Sequence, residues 1–424
     1  MFKTPRVEFE EHRLQNGLQV LLHRDTRVPL VHLSIHYRMG SSYETQGLSG
    51  FAHLFEHMMF QGSENVAKNE HGGYIDNAGG RWNATTSKDR TNYYETVPSH
   101  YLELALWLES DRMRSLNVTE ENFENQLQTV IEEKKQSYDN RPYGLATLKF
   151  EQLAYENWSY AHPIIGAVED LENSTLEDAA KFHQTYYGPG NATLVLSGDT
   201  GDDGKALKKV EQYFGDLSDQ THPELPDLEE PEQTAEKIER MTDPLAVLPA
   251  VYAGYHMPAL GSPEFYALSV LGVILSHGES SRLHRKLIYH NNWVTSLSVG
   301  PNQYKGPELF FIWFQVQSAV DVDQVLKAVD QELERVQEEK IPAQEIEKAK
   351  NQIAFRFVEQ LAKVARIGEL LAHYALFLDD PKRINHELDR YLAVTEDDIL
   401  QASQKIFNSQ NRTLIFVEPG GNGR

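Results

Sequence analysis

The chain has 424 residues, 40% hydrophobic and 10% aromatic, with 40 Lys and Arg against 63 Asp and Glu and no cysteine. That much apolar material builds a sizeable core and excludes a wholly disordered chain, while the formal net charge of −23 argues against nucleic acid or an anionic membrane surface as partner. Without cysteine there is no disulfide framework, thiolate zinc ribbon, iron–sulfur cluster or thiol nucleophile.

The N-terminal residues MFKTPRVEFEEHRLQNG lack the apolar stretch of a signal peptide. No run of about 18 apolar residues occurs, which excludes a transmembrane helix. The expected location is the cytoplasm, or the periplasm if a leader has been removed. In chain order, Val31, Leu33, Ile35 and Tyr37 alternate with His32, Ser34, His36 and Arg38, a period of two that predicts a strand with one buried face. A helix is expected over Leu48 to Phe60, a strand over Thr91 to Val97, and helices over Tyr101 to Met113 and Phe123 to Tyr138. Thr175 to Asp199 (TLEDAAKFHQTYYGPGNATLVLSGD) then superposes without a gap on Thr395 to Pro419 (TEDDILQASQKIFNSQNRTLIFVEP) at an offset of 220. Each reads as a capped helix, a turn and a strand. Tyr37-Arg38-Met39 matches Tyr255-His256-Met257 at an offset of 218. Helix–turn–strand segments resemble one another by chance, but two nearly equal offsets favour a duplication.

Between the repeats, Asp216 to Asp243 contains three prolines and the run Asp227-Leu228-Glu229-Glu230-Pro231-Glu232, the composition of an exposed linker. The boundary is placed near Pro231, giving domains 1–230 and 231–424. Strands mixed with long helices in each half predict an α+β fold occurring twice, each copy a mainly antiparallel sheet packed with helices.

His53-Leu54-Phe55-Glu56-His57 carries the chemistry. Residues four apart share a helix face, so two imidazoles converge on one ion, with Glu56 beside them. A zinc site takes neutral imidazoles and a carboxylate and leaves a position open for water. A nearby carboxylate can then take a proton from that water as it attacks a carbonyl. The alternative is an amphipathic helix with two half-buried histidines. A third ligand is sought in FENQLQTVIEEKKQSY. There Phe123, Leu127, Val130, Ile131 and Tyr138 form an apolar stripe, Glu132 points to solvent and Glu133 lies on the border. By geometry alone Glu133 is a boundary charge or a ligand. Elsewhere His71, His100 and His162 show no ligand spacing and read as packed or solvated.

HLFEHMMFQGSE, followed by GGRWNATTSKDRTNYYETVP and VIEEKKQSYDNRPYG, resembles the pitrilysin/insulinase family of zinc endopeptidases, the inverzincins with H-x-x-E-H in place of H-E-x-x-H. The resemblance extends to YAHPIIG and to GNATLVLSGD. In that family a Glu about 75 residues past the second His completes the metal site, and Glu133 is 76 positions after His57. The resemblance implies one zinc per chain, held by His53, His57 and Glu133, with Glu56 as general base. It places Asn83 and Ala84 on a substrate-binding edge strand and implies a second domain that closes the substrate chamber, the two domains together forming one half of a clamshell. The offset of 218 sets His53, Glu56 and His57 opposite Leu271, Ile274 and Leu275, so the second domain is expected to be inactive.

Two departures stand out. Many relatives carry an acid seven residues before the third ligand, where this chain has Gln126, leaving an amide to support the metal ligands. Active single-chain relatives also carry an Arg, and a Tyr seven residues later, beyond the second domain's S-R-L. Here these positions fall at Tyr289 and near Thr295 or Ser296, although Arg285 lies nearby. The expectation is hydrolysis of peptides or short unfolded polypeptides, with a homologous subunit supplying the Arg/Tyr pair in a heterodimer and a homodimer as the second possibility. A non-catalytic structural subunit and a presequence-type processing peptidase are the alternative readings.

Overall fold

The computed structural model describes residues 5–201, 204–218, 223 and 225–420. Two compact units form. One comprises Met1–Glu133, His162–Asp227 and Phe357–His386, the other Lys134–Ala161, Leu228–Arg356 and Glu387–Arg424.

The first unit holds β1 (Glu10–Arg13), β2 (Gln19–Arg24), β3 (Leu30–Tyr37), β4 (Arg81–Thr86), β5 (Thr91–Pro98) and β6 (Ala192–Gly198), in the spatial order β1-β2-β6-β3-β5-β4. Only β2 and β6 run parallel; the other neighbours are antiparallel. Helices α1 (Phe51–Met58) and α3 (Leu102–Ser115) pack on this sheet, and α2 (Glu70–Asn77) meets β4. Helix α4 (Glu120–Lys134) closes the first stretch of the unit.

The alternation in β3 was expected to mark one buried face, but both are buried. Val31, Leu33, Ile35 and Tyr37 are inaccessible, and so are His32, Ser34 and His36. The helix Val364–Phe377 covers the polar face, approaching so closely that a Cβ on Gly368 would lie 2.8 Å from the His32 ring. Several of the covered polar groups pair among themselves, as burial favours. His32 Nδ1 meets Thr96 Oγ1 at 2.9 Å, His32 Nε2 meets Glu369 Oε1 at 3.2 Å, and Asn92 Nδ2 donates to Glu369 Oε2 at 3.0 Å.

The second unit repeats the plan with β7 (Lys237–Asp243), β8 (Ala250–Met257), β9 (Val294–Pro301), β10 (Glu308–Val316) and β11 (Arg412–Pro419), ordered β7-β11-β8-β10-β9. Here β7 and β11 form the parallel pair. Tyr37 faces Ala192 across β3 and β6, and Tyr255 faces Arg412 across β8 and β11, the same register displaced by 218 and 220 positions. Thr175 and Thr395 both form capping boxes, with Asp178 and Asp398. Asn191 donates to the carbonyls of Arg38 and Tyr186, and Asn411 donates to those of His256 and Ile406. Matched side chains thus make matched bonds, which is the structural content of the duplication.

Two expectations about organisation change. Asp216 to Asp243 was read as linker, but its last part is β7, paired along its length with β11; residues 219–222 and 224 of that stretch lie outside the described residues. A cut at 230/231 separates the sequence repeats, whereas each compact unit takes one segment from the other repeat. Residues 357–386 join the first unit and 134–161 the second. Within the second unit α5 (Gly144–Ala154) lies on β11 and β7, and its Phe150 packs against Tyr252 and Phe311 where Gly254 leaves room. Among the described residues no helix is long and apolar enough to cross a membrane.

Candidate metal centre

Helix α1 buries Phe51, Ala52, Leu54, Phe55 and Met58, with Phe55 stacked on Phe182 at 5.0 Å. That apolar face fixes the helix rotation and leaves His53, Glu56 and His57 half-buried on the opposite side. The two imidazole centroids are 4.9 Å apart. Helix α4 buries Phe123, Leu127, Val130 and Ile131, so Glu133 is half-buried while Glu132 is exposed. Lys134, which falls within the apolar stripe by period, ends the helix and pairs with Asp139 at 2.9 Å.

These two helices bring His53 Nε2 within 3.8 Å of Glu133 Oε1 and His57 Nε2 within 3.3 Å of Glu133 Oε2. All three donor atoms lie within 4.8 Å of one another. A tetrahedral ion with bonds of about 2.1 Å needs ligand atoms about 3.4 Å apart. Two nitrogens and a carboxylate at these separations fit a zinc ion with little adjustment.

The electrostatics suit the same ion. Burial, with His57 nearby, pushes His53 down to about 4, so its imidazole is neutral and free to ligate at neutral pH. The His57 hydrogen bond holds the Glu133 carboxyl below its usual range. Burial raises Glu56, opposed by the Thr86 hydroxyl, which donates to Glu56 Oε2 at 2.6 Å.

Thr86 lies on β4, which pairs with β5 and ends the sheet. Asn83, exposed, and Ala84, buried, lie on the same strand opposite Tyr94 and Tyr93. An open strand edge therefore runs past the carboxylate that Thr86 holds. Gln126 is buried on α4, and its amide donates to Asn125 Oδ1 at 2.8 Å. Thr86 was not singled out from sequence, although it is the last residue of the N-A-x-T segment that pointed to this strand.

A second group of close donors, His71, Glu95 and Glu109, is fully buried. The Arg112 guanidinium sits against both carboxylates and supplies the positive charge there. In the second unit Leu271, Ile274 and Leu275 are core residues. Tyr289 is 76% exposed, and Thr295 Oγ1 donates to the carbonyl of Gln315 at 3.3 Å. Arg282 is held by Glu332 and Glu345. The Arg/Tyr positions named from sequence thus hold no guanidinium and no phenol at the expected spacing.

Residues 19–168 match the family model described as insulinase (peptidase family M16), and residues 173–353 match the peptidase M16 inactive domain. A Helicobacter pylori protein named zinc protease PqqE is 28% identical over 97% of this chain and 93% of its own length. The Bos taurus mitochondrial-processing peptidase subunit beta is 25% identical over 96% of this chain and 83% of its own. A solved structure of a Helicobacter pylori protease superposes with a TM-score of 0.93 at 27% identity, over 98% of this chain and 100% of that one.

Proposed function

This chain belongs to peptidase family M16, the insulinase family, and from that premise we propose that it is a zinc-dependent endopeptidase acting on peptides and short unfolded polypeptides. The observation that carries the reading is the convergence of His53, His57 and Glu133 with Glu56 on the same helix face. The two Nε2 atoms and the Glu133 carboxylate would hold one zinc ion. When bound, zinc supplies a Lewis acid and lowers the pKa of water to near neutrality. Glu56 takes the proton of the attacking water on its carboxylate and returns it to the leaving amine. Thr86 keeps that carboxylate turned toward the site through its 2.6 Å hydrogen bond. The free edge of β4, around Asn83 and Ala84, binds the extended peptide through main-chain hydrogen bonds, with little demand on sequence.

The Glu56→Gln variant tests this directly. It should keep zinc and lose roughly 10²–10⁴-fold in peptide turnover, the usual loss for one general base. Near-normal turnover would assign the base elsewhere.

A partner chain belongs to the same reading. The positions at Tyr289 and Thr295 to Ser296 hold no guanidinium–phenol pair, so the groups that clamp the substrate carbonyl come from a homologous subunit, with a heterodimer favoured over a homodimer. The likeness to a processing-peptidase subunit favours, as a second reading, a presequence-type processing activity, in which products show one defined cut rather than many.

A further inference from the structure

A two-turn helix is marginal on its own, and α1 begins without a side-chain cap. Its N-cap residue is Gly50, in the left-handed region at φ 91°. No larger residue fits, because a Cβ there would lie 2.8 Å from the Ile165 carbonyl oxygen and 3.0 Å from Gly166 Cα. The Ser, Thr, Asp or Asn that ordinarily satisfies the first amides is excluded from this position.

The missing acceptor comes from six residues upstream. Glu44 Oε2 accepts from Gly50 N at 2.8 Å, and Glu44 Oε1 accepts from Ala52 N at 2.7 Å. The Glu44 side chain is wholly buried, so its charge is stripped of water and needs further partners. His162 Nε2 lies 2.9 Å from Glu44 Oε2, and the buried Lys88 Nζ donates to the His162 carbonyl at 2.6 Å. The segment from His162 to Gly166 is thus packed against the start of α1. Asp170 and the amide of Ala167 extend this contact by binding Ser49.

We propose that Glu44 and His162 are positioning residues for the metal centre, a remote cap that fixes the tilt and rotation of α1 and so aims His53 at Glu133. His53 directly follows the capped Ala52, and Glu56 and His57 occupy the next turn. A helix whose first turn frays carries all three away from α4. This inference rests on the zinc reading above, but the cap itself can be observed without metal.

The test is amide hydrogen exchange at Gly50 and Ala52 in the full chain, with and without zinc, alongside zinc affinity by chelator competition and steady-state kinetics. In Glu44→Ala both amides should exchange at least about tenfold faster while β3 and β6 amides stay protected. Zinc affinity and kcat should fall by roughly 10–100-fold, the usual cost of losing a ligand's supporting shell, with KM little changed. His162→Gln, which keeps an N–H donor, should retain more of both than His162→Ala. If Glu44→Ala does not fold, Glu44→Gln, which keeps one acceptor oxygen, is read in the same way. Unchanged exchange at Gly50 and Ala52 overturns the inference, as does a loss of activity that only follows the folded fraction. Absence of zinc from the unaltered chain would instead overturn the zinc reading.

Discussion

Glu132 and Glu133 are neighbours with the same side chain, and only the rotation of α4 separates them. The apolar stripe of that helix turns Glu133 toward the two imidazoles and Glu132 toward solvent. The border position of Glu133 was legible in sequence, because a stripe at helical spacing sets every position on the helix, but its meeting with the imidazoles was implied only by the family resemblance. The remote cap was not legible, since nothing local joins Glu44 to His162, and His162 read as a packed or solvated histidine. A second histidine carries a prediction about pH. His183 stacks on Tyr187 and Phe55, and its Nε2 is buried without a hydrogen-bond partner among the described residues. Burial pushes this imidazole down to about 4, against about 6.5 in an unfolded chain. Its folded-state pKa is depressed, so the stability it confers is present above pH 6.5 and is lost as pH falls toward 4, by at most about 3 kcal/mol. Urea midpoints measured from pH 7 to pH 5 should therefore fall less steeply for His183→Phe than for the unaltered chain. Parallel slopes would contradict the assignment.

At the scale of elements, the helices and strands around the site fall close to where periodicity places them, α1 within Leu48 to Phe60 and β5 over Thr91 to Pro98. The errors have a common physical cause. A strand such as β3, with an apolar face and a His/Ser face, reads as half-exposed unless the covering helix is known, and that helix lies more than 300 residues away. Likewise β7, KIERMTD, alternates like a solvated edge strand and follows a proline-rich acidic run, so composition hides it. The covering helix yields the next prediction. His32 cannot yield to a larger residue at 368, because both of its ring nitrogens are engaged, with Thr96 and Glu369. Gly368→Leu should therefore destabilise the first unit by about 1–3 kcal/mol, the usual cost of overpacking. This exceeds the roughly 1 kcal/mol that replacing a helical glycine ordinarily returns. Thermal or urea unfolding measures the difference, and a stabilised variant would show that the helix can lift away from β3.

At the scale of the whole molecule, the repeat in the sequence predicted two copies of one architecture, and the paired registers and the Asn191 and Asn411 bonds bear that out. The exchange of residues 134–161 and 357–386 between the units left no trace in sequence, because a helix that covers its own sheet and one that covers another's carry the same apolar pattern. The two units have also diverged in chemistry. His53, Glu56 and His57 have Leu271, Ile274 and Leu275 as counterparts, so among the described residues the ligand set lies in the first unit. With no Arg/Tyr pair at Tyr289 and Thr295 to Ser296, the chain alone should cleave peptides slowly. A homologous subunit bearing the pair should raise the rate by about 10²–10³, the usual worth of one oxyanion donor. Full activity of the isolated chain would remove the need for a partner.

The most direct test is the zinc content per chain of the purified protein and its Glu133→Gln and Glu132→Gln variants. One zinc ion per chain is expected for the unaltered protein and for Glu132→Gln, and close to none for Glu133→Gln. Two ions per chain, or loss of zinc only in Glu132→Gln, would contradict a single centre built from His53, His57 and Glu133.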